Sequence, residues 1–129
     1  MSSVRKKAEE FVELHGGSIV GDIPLREGPV SFKVLIDNRM FHIYFSRRWY
    51  YNPDGISIPM ETLEVGLEEN ATIVMYVNNE CVWQYATEWL RLSRALPNAR
   101  NNTIERLIKK EYLLTGSFQV KPTGMDEFL

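Results

Sequence analysis

This chain holds few soft metal-ligating side chains: one cysteine, Cys81, and two histidines, His15 and His42. A disulfide framework is therefore excluded, and a Cys/His zinc site cannot be assembled within one chain. Long apolar runs are missing too. Met1-Ser2-Ser3-Val4-Arg5-Lys6-Lys7 leads into an amphipathic segment, so neither a signal peptide nor a membrane span is expected, and a reduced, cytoplasmic setting fits. No sign of charge dominates: 15 lysines and arginines face 17 acids, a net charge of −2, which excludes a histone-like protein that coats duplex DNA by bulk charge. Any nucleic-acid contact must come from a local basic stripe. Internal repeats and low-complexity tracts are absent, as is the Gly-x-x-x-x-Gly-Lys spacing that cradles phosphates, so nucleotide hydrolysis has no support.

What is present reads as one globular domain. With 129 residues, 44% of them hydrophobic, the chain can bury one core but not two, and the domain is expected over residues 1–115 with a flexible tail over residues 116–129. From about Ser3 to Leu14, Val4, Ala8, Phe11 and Val12 recur at helical spacing, and Gly16-Gly17 ends that helix. Ser18 to Leu25 predicts a strand. Val30 to Ile36 and Met40 to Phe45 predict a hairpin around Asp37-Asn38-Arg39. Residues 52 to 70 predict a long surface loop with a short helix or strand near Met60 to Leu67, and Thr72 to Val77 predicts a last, central strand. Glu80 to about Leu96 then reads as a long helix, with Val82, Ala86, Trp89 and Leu90 on one face and Trp83 and Tyr85 spread over the rest. After Pro97, a helix from Asn101 or Asn102 to Leu114 carries the seam Ile104, Leu107, Ile108, Glu111 and Leu114. The expected fold is thus α+β: an N-terminal helix, an antiparallel meander of about four strands, two C-terminal helices and a flexible tail.

The most informative stretch is Phe45-Ser46-Arg47-Arg48-Trp49-Tyr50-Tyr51-Asn52. Guanidiniums contact phosphates, and flat rings stack on any base, which is the chemistry of a single-stranded nucleic-acid groove. Alternation along a strand forces at least one of three consecutive rings towards water. The ordinary alternative is that these rings are core and the arginines surface. On the preceding strand, Met40, His42 and Tyr44 share a face opposite Phe41, Ile43 and Phe45, with Lys33 on the neighbouring strand. With Arg39, Arg47, Arg48, Trp49, Tyr50 and Tyr51 this face makes a cleft with an apolar floor and a basic rim, unless another element covers it. In this reading Tyr44, Trp49, Tyr50 and Tyr51 stack bases, Lys33, Arg39, Arg47 and Arg48 contact phosphates, and His42 lines the cleft.

Catalytic signals are weak. Asp22, Asp37, Asp54, Glu61 and Glu64 would be the carboxylates of a metal-dependent nuclease, yet Glu61-Thr62-Leu63-Glu64 lacks the following lysine. His42 has no serine or cysteine partner at a recognisable spacing. No catalysis, cofactor or metal is expected. A protein-interaction module, with Trp83, Tyr85 and Trp89 as exposed anchors on the long helix, is the alternative to nucleic-acid binding.

The C-terminus, Gly124-Met125-Asp126-Glu127-Phe128-Leu129, is an acidic tip ending in apolar residues, suited to placing Met125, Phe128 and Leu129 in a partner's pocket. It is similar to the tip of bacterial single-strand-binding proteins, and its Met-x-x-Phe-Leu spacing resembles the end of a sliding-clamp peptide, although Pro122 stands where that peptide's glutamine would. A replication or repair partner is implied, and a featureless terminus is the alternative. In overall organisation, the N-terminal helix, meander sheet, Arg47-Arg48-Trp49-Tyr50-Tyr51 stretch, aromatic helix and Leu/Ile-seamed helix resemble the ThermoDBP-type archaeal single-stranded DNA-binding proteins. That resemblance implies a binder of single-stranded DNA, with RNA left open, and a homodimer formed through the C-terminal helix with Ile104, Leu107, Ile108 and Leu114.

Overall fold

The computed structural model of the protein describes residues 2–22, 30–46, 55–77, 80–99 and 102–115. Helix α1 (Ser2–His15) buries Phe11 and Val12 and turns Glu9, Glu10 and Glu13 to water. It stops where Gly16 takes a left-handed φ of 73°, with the N–H groups of Gly16 and Gly17 both donating to the Val12 carbonyl. Strands β1 (Ser18–Asp22), β2 (Val30–Ile36) and β3 (Arg39–Ser46) follow as antiparallel neighbours. Asp37 and Asn38, at φ 51° and 64°, make the two-residue turn whose twist suits a hairpin. These elements lie where period and turn chemistry predict them.

The chain then departs from a meander. Strand β4 (Gly55–Pro59) and helix α2 (Met60–Glu68) form a crossover, and β5 (Thr72–Val77) returns parallel to β3. A parallel pair requires such a crossover, because a tight turn only reverses direction. Strand β6 (Glu80–Tyr85) pairs antiparallel with β5, helix α3 (Ala86–Leu92) turns away, and β7 (Arg94–Asn98) and β8 (Thr103–Lys109) make a second antiparallel pair. A 3₁₀ turn over Lys110–Tyr112 leads to the short β9 (Leu114–Thr115) at the outer edge of β6. The result is a six-stranded sheet in the order β1-β2-β3-β5-β6-β9 and a three-stranded sheet in the order β4-β8-β7.

Nine strands in two sheets and three α-helices among the described residues overturn the expected α+β fold of a four-strand meander followed by two helices. The long helix over 80 to 96 is instead β6, the seven-residue α3 and β7. Its sequence satisfies two periods at once: Val82, Ala86, Trp89 and Leu90 fit a helix, while Val82 and Gln84 alternate with Cys81, Trp83 and Tyr85 as in a strand. The open edge of β5 decides, since pairing there satisfies the backbone and buries Val82 completely. The expected helix over 102 to 114 is likewise β8, a 3₁₀ turn and β9. Its Thr103-Ile104 start is β-branched, and β8 finds a partner on each side, β4 and β7.

Two apolar layers hold the sheets. On one face of the large sheet, α1 sets Phe11 and Val12 against Phe32, Val34, Ile36, Phe41, Ile43 and Val74. On the other, α2, α3 and the small sheet enclose Tyr44, Leu63, Ile73, Met75, Val82, Trp89, Ile56, Ile58 and Ile108. Each such side chain contributes about 1.5–3 kcal/mol on leaving water. Trp89, expected as an exposed anchor, is fully buried, and its Nε1–H donates to the Arg106 carbonyl at 3.2 Å. Among the described residues, no helix is long and apolar enough to cross a membrane.

Candidate nucleic-acid interface

Lys33 and His42 are direct cross-strand partners, and Tyr44 lies two residues further along β3 on the same face, as alternation predicts. That face is covered, however, so it is not the floor of a cleft. The crossover through β4 and α2 folds back over it, leaving His42 wholly buried and Tyr44 only 1% exposed. Tyr44 belongs to the apolar cluster with Ile56, Ile58 and Met75, and its Oη has no hydrogen-bond partner among the described residues. Burial raises its phenol pKa. A ring so enclosed cannot stack a base, and His42 cannot line an open groove.

A residue that pattern reading passed over organises this region. Glu69, the C-cap of α2, places Oε1 2.7 Å from His42 Nε2 and Oε2 2.8 Å from Lys33 Nζ. The Lys33 ammonium expected at phosphate is thus committed to an ion pair within the fold. A carboxylate at a helix C-terminus opposes the helix dipole, so Glu68-Glu69 at the end of a helical pattern was the one available signal that a cation or donor waits there. Gly66 of α2 lies over the imidazole, and a Cβ there would stand 3.7 Å from His42 Nδ1 and 3.4 Å from the Ala86 methyl. Arg39, at the start of β3, is half-buried opposite Ile36 and has interactions of its own.

Arg47, Arg48, Trp49, Tyr50 and Tyr51 lie outside the described residues, but the two anchors of their segment do not. The chain leaves the large sheet at Ser46, which pairs with Val77, and joins the small sheet at Gly55, which pairs with Lys109. Backbone contact at Gly55 is so close that a Cβ there would collide with the Ile108 carbonyl, so only glycine fits. Gly55 therefore lies against Lys109, which is exposed, as is Lys110 next in sequence. Neither lysine was singled out by sequence reading, because Lys109, at the end of β8, stands 54 positions from Gly55 in sequence (109 − 55) and Lys110 begins the 3₁₀ turn after it.

The expected partner seam is not a seam. Leu107 and Ile108 are buried in β8, while Ile104 and Leu114 are exposed on two different sheets. Strand geometry sends neighbours to opposite faces, so the helical spacing of these four residues brings nothing together. Met125, Phe128 and Leu129 lie outside the described residues. Of the nuclease carboxylates, Asp54 also lies outside. Asp37, Glu61 and Glu64 are exposed, and the described residues contain no group of three or more His, Cys, Asp or Glu placed to hold a metal. Burial raises the Cys81 thiol pKa, against a smaller opposing effect of its hydrogen bond with Tyr76. That favours the unreactive protonated form. No protein-family model, curated protein or solved structure matches this chain.

Proposed function

We propose that this protein is a non-catalytic, cytoplasmic module that binds single-stranded nucleic acid, DNA or RNA, with little sequence preference. The observation that carries the reading is the pairing of Gly55, four positions after Tyr51 in sequence, with the exposed Lys109, which the exposed Lys110 follows. A chain of net charge −2 needs such a local concentration of cations next to rings if it is to hold a polyanion at all. Arg47, Arg48 and Lys109 would contact phosphates, and Trp49, Tyr50 and Tyr51 would stack bases. Tyr44 and His42 are buried and Lys33 is paired within the fold, and the two C-terminal helices behind the ThermoDBP-type resemblance are instead β6, the short α3 and β7, and β8, a 3₁₀ turn and β9.

Anisotropy titration of labelled single-stranded DNA, the same sequence as RNA, and the duplex tests it, at two salt concentrations. Salt-sensitive binding of either single strand with weak duplex binding is expected, and absence of binding to all three overturns the assignment. A protein-interaction module is the second reading, favoured by the half-exposed pair Trp83 and Tyr85 on β6. Its mark is concentration-dependent assembly without nucleic-acid affinity.

A further inference from the structure

The three-stranded sheet has two unlike faces. One is core: Ile56 and Ile58 of β4 and Ile108 of β8 are buried in the apolar cluster, and Arg106 on that side caps α3, donating to Ser93 Oγ at 3.0 Å and to the Ser93 and Leu90 carbonyls at 2.9 and 3.3 Å. Strand alternation sends Ser57, Leu107 and Lys109 to the opposite face. The register adds Arg94 to it, because Arg94 is the cross-strand partner of Leu107, and Arg94 and Lys109 are therefore diagonal neighbours on β7 and β8. Long side chains at that spacing are within reach of each other.

Leu107 between them is buried, whereas both cations are exposed. They also differ from most other described cations in being uncommitted. Lys33 is held by Glu69, Arg91 by Glu88 and Arg106 by the end of α3, and Arg39 and Lys110 have interactions of their own. Arg94 and Lys109 have no hydrogen bond or ion pair among the described residues, and even the half-buried Glu105, on the same face of β8, makes no ion pair with Arg94. Two neighbouring positive charges left without a counter-charge by the fold are matched by an anion from outside it, and a guanidinium fork beside an ammonium suits phosphate oxygens.

We propose that the outer face of the small sheet is a phosphate-contacting surface for single-stranded nucleic acid, on which Arg94 joins Lys109 in holding the backbone of the strand. This rests on the nucleic-acid reading above and extends it from Lys109 across β8 to β7. The described residues of this face carry no aromatic ring, so it supplies charge without stacking, and its contribution is the same whatever the bases are.

The test is anisotropy titration of labelled dT20 and dC20 at several salt concentrations with the full chain and with Arg94→Ala, Lys109→Ala, both changes together and Lys6→Ala. Arg94→Ala should flatten the slope of log affinity against log salt by about 0.7, and the double variant by about 1.4, equally for the two sequences. Lys6→Ala removes the same formal charge from an exposed position on α1 and should keep the wild-type slope, which separates a contact from a change of net charge. A second readout needs no variant: with dT20 bound to the unaltered protein, Arg94 should be protected from phenylglyoxal and Lys109 from acetylation, both mapped by mass spectrometry, while Lys6 stays reactive. A wild-type slope in Arg94→Ala, with Arg94 as reactive in the presence of dT20 as in its absence, overturns this surface and leaves the reading above with Lys109 alone. If the unaltered protein binds neither oligonucleotide, that reading fails and takes this inference with it.

Discussion

Glu69 Oε1 lies 2.7 Å from His42 Nε2, joining the C-terminus of α2 to a side chain in the interior of the large sheet. The same carboxylate holds Lys33 at 2.8 Å through its other oxygen. Burial keeps the imidazole neutral by pulling its pKa below the ordinary value, against the opposing hydrogen bond and charge of Glu69, so Nε2–H is the donor to the carboxylate. His42 Nδ1 is then a buried acceptor with no partner among the described residues. The bridge fixes how α2 sits on β2 and β3, and with it how the crossover closes the face once expected to be a cleft.

Glu69→Ala should therefore destabilise the fold by about 1–3 kcal/mol, the cost of leaving a buried donor unsatisfied. Glu69→Gln should cost less, because its amide oxygen still accepts from His42 while the ion pair with Lys33 is lost. Urea unfolding of the three proteins orders them, and equal midpoints would show that the bridge contributes nothing.

The same bridge sets a pH dependence in two windows. His42 has a depressed pKa in the folded protein, so below its ordinary value of 6.5 the unfolded chain binds a proton that the folded chain refuses. Its contribution is full above that pH and is lost as pH falls from 6.5 towards the folded value. Burial pushes the Glu69 pKa up, but hydrogen bonds from Lys33 and His42 outweigh it, and the net value lies below 4.5, so its contribution is lost at still lower pH. Thermal midpoints from pH 8 to 4 should fall in the first window for the wild type and fall less there for His42→Gln, in which His15, its pKa also lowered by burial, still contributes.

Gly55→Ala should both destabilise the protein and weaken nucleic-acid binding. A methyl group driven towards the Ile108 carbonyl forces β4 away from β8, with an overpacking cost of about 1–3 kcal/mol. It also displaces Gly55, the first described residue after the Arg47–Tyr51 stretch, from its partner Lys109. An unchanged unfolding midpoint together with unchanged affinity would refute the anchoring role.

Arg47→Ala/Arg48→Ala should lower affinity for single strands of every sequence and flatten the slope of log affinity against log salt by about 1.4, two contacts at about 0.7 each. Anisotropy at several salt concentrations reads the slope, and a double variant with the wild-type slope removes these arginines from the interface.

Trp89→Ala should cost about 3–5 kcal/mol, as befits a fully buried indole rather than an exposed anchor. Trp89→Phe should cost far less, losing some packing and the hydrogen bond to the Arg106 carbonyl. Denaturant unfolding separates the two, and a near-neutral alanine variant would contradict the packing described for α3.

Local chemistry was enough for the elements up to Ser46, but not for the buried strand β4, which lies within the stretch expected as a long surface loop. Alternation in Val30–Ile36 and Arg39–Ser46, the Asp37-Asn38 turn and the Gly16-Gly17 stop all act within a few residues, and each element they imply is present. Residues 80 to 115 were misread because both periods fit short stretches such as Thr103–Lys109, and the choice between them belongs to the neighbours. Pairing with β5 makes β6 a strand, and pairing with β4 and β7 makes β8 one.

For the candidate site the division is similar. Sequence alone placed Lys33, His42 and Tyr44 on one face and concentrated arginine and aromatic chemistry in residues 47 to 51, because side-chain alternation and composition are properties of the chain itself. Which face the crossover would cover, that Glu69 would take Lys33 and His42, and that Gly55 would pair with Lys109 were decided only by tertiary structure. Those outcomes depend on contacts between residues far apart in sequence, and no local period or turn encodes which of the available surfaces will meet.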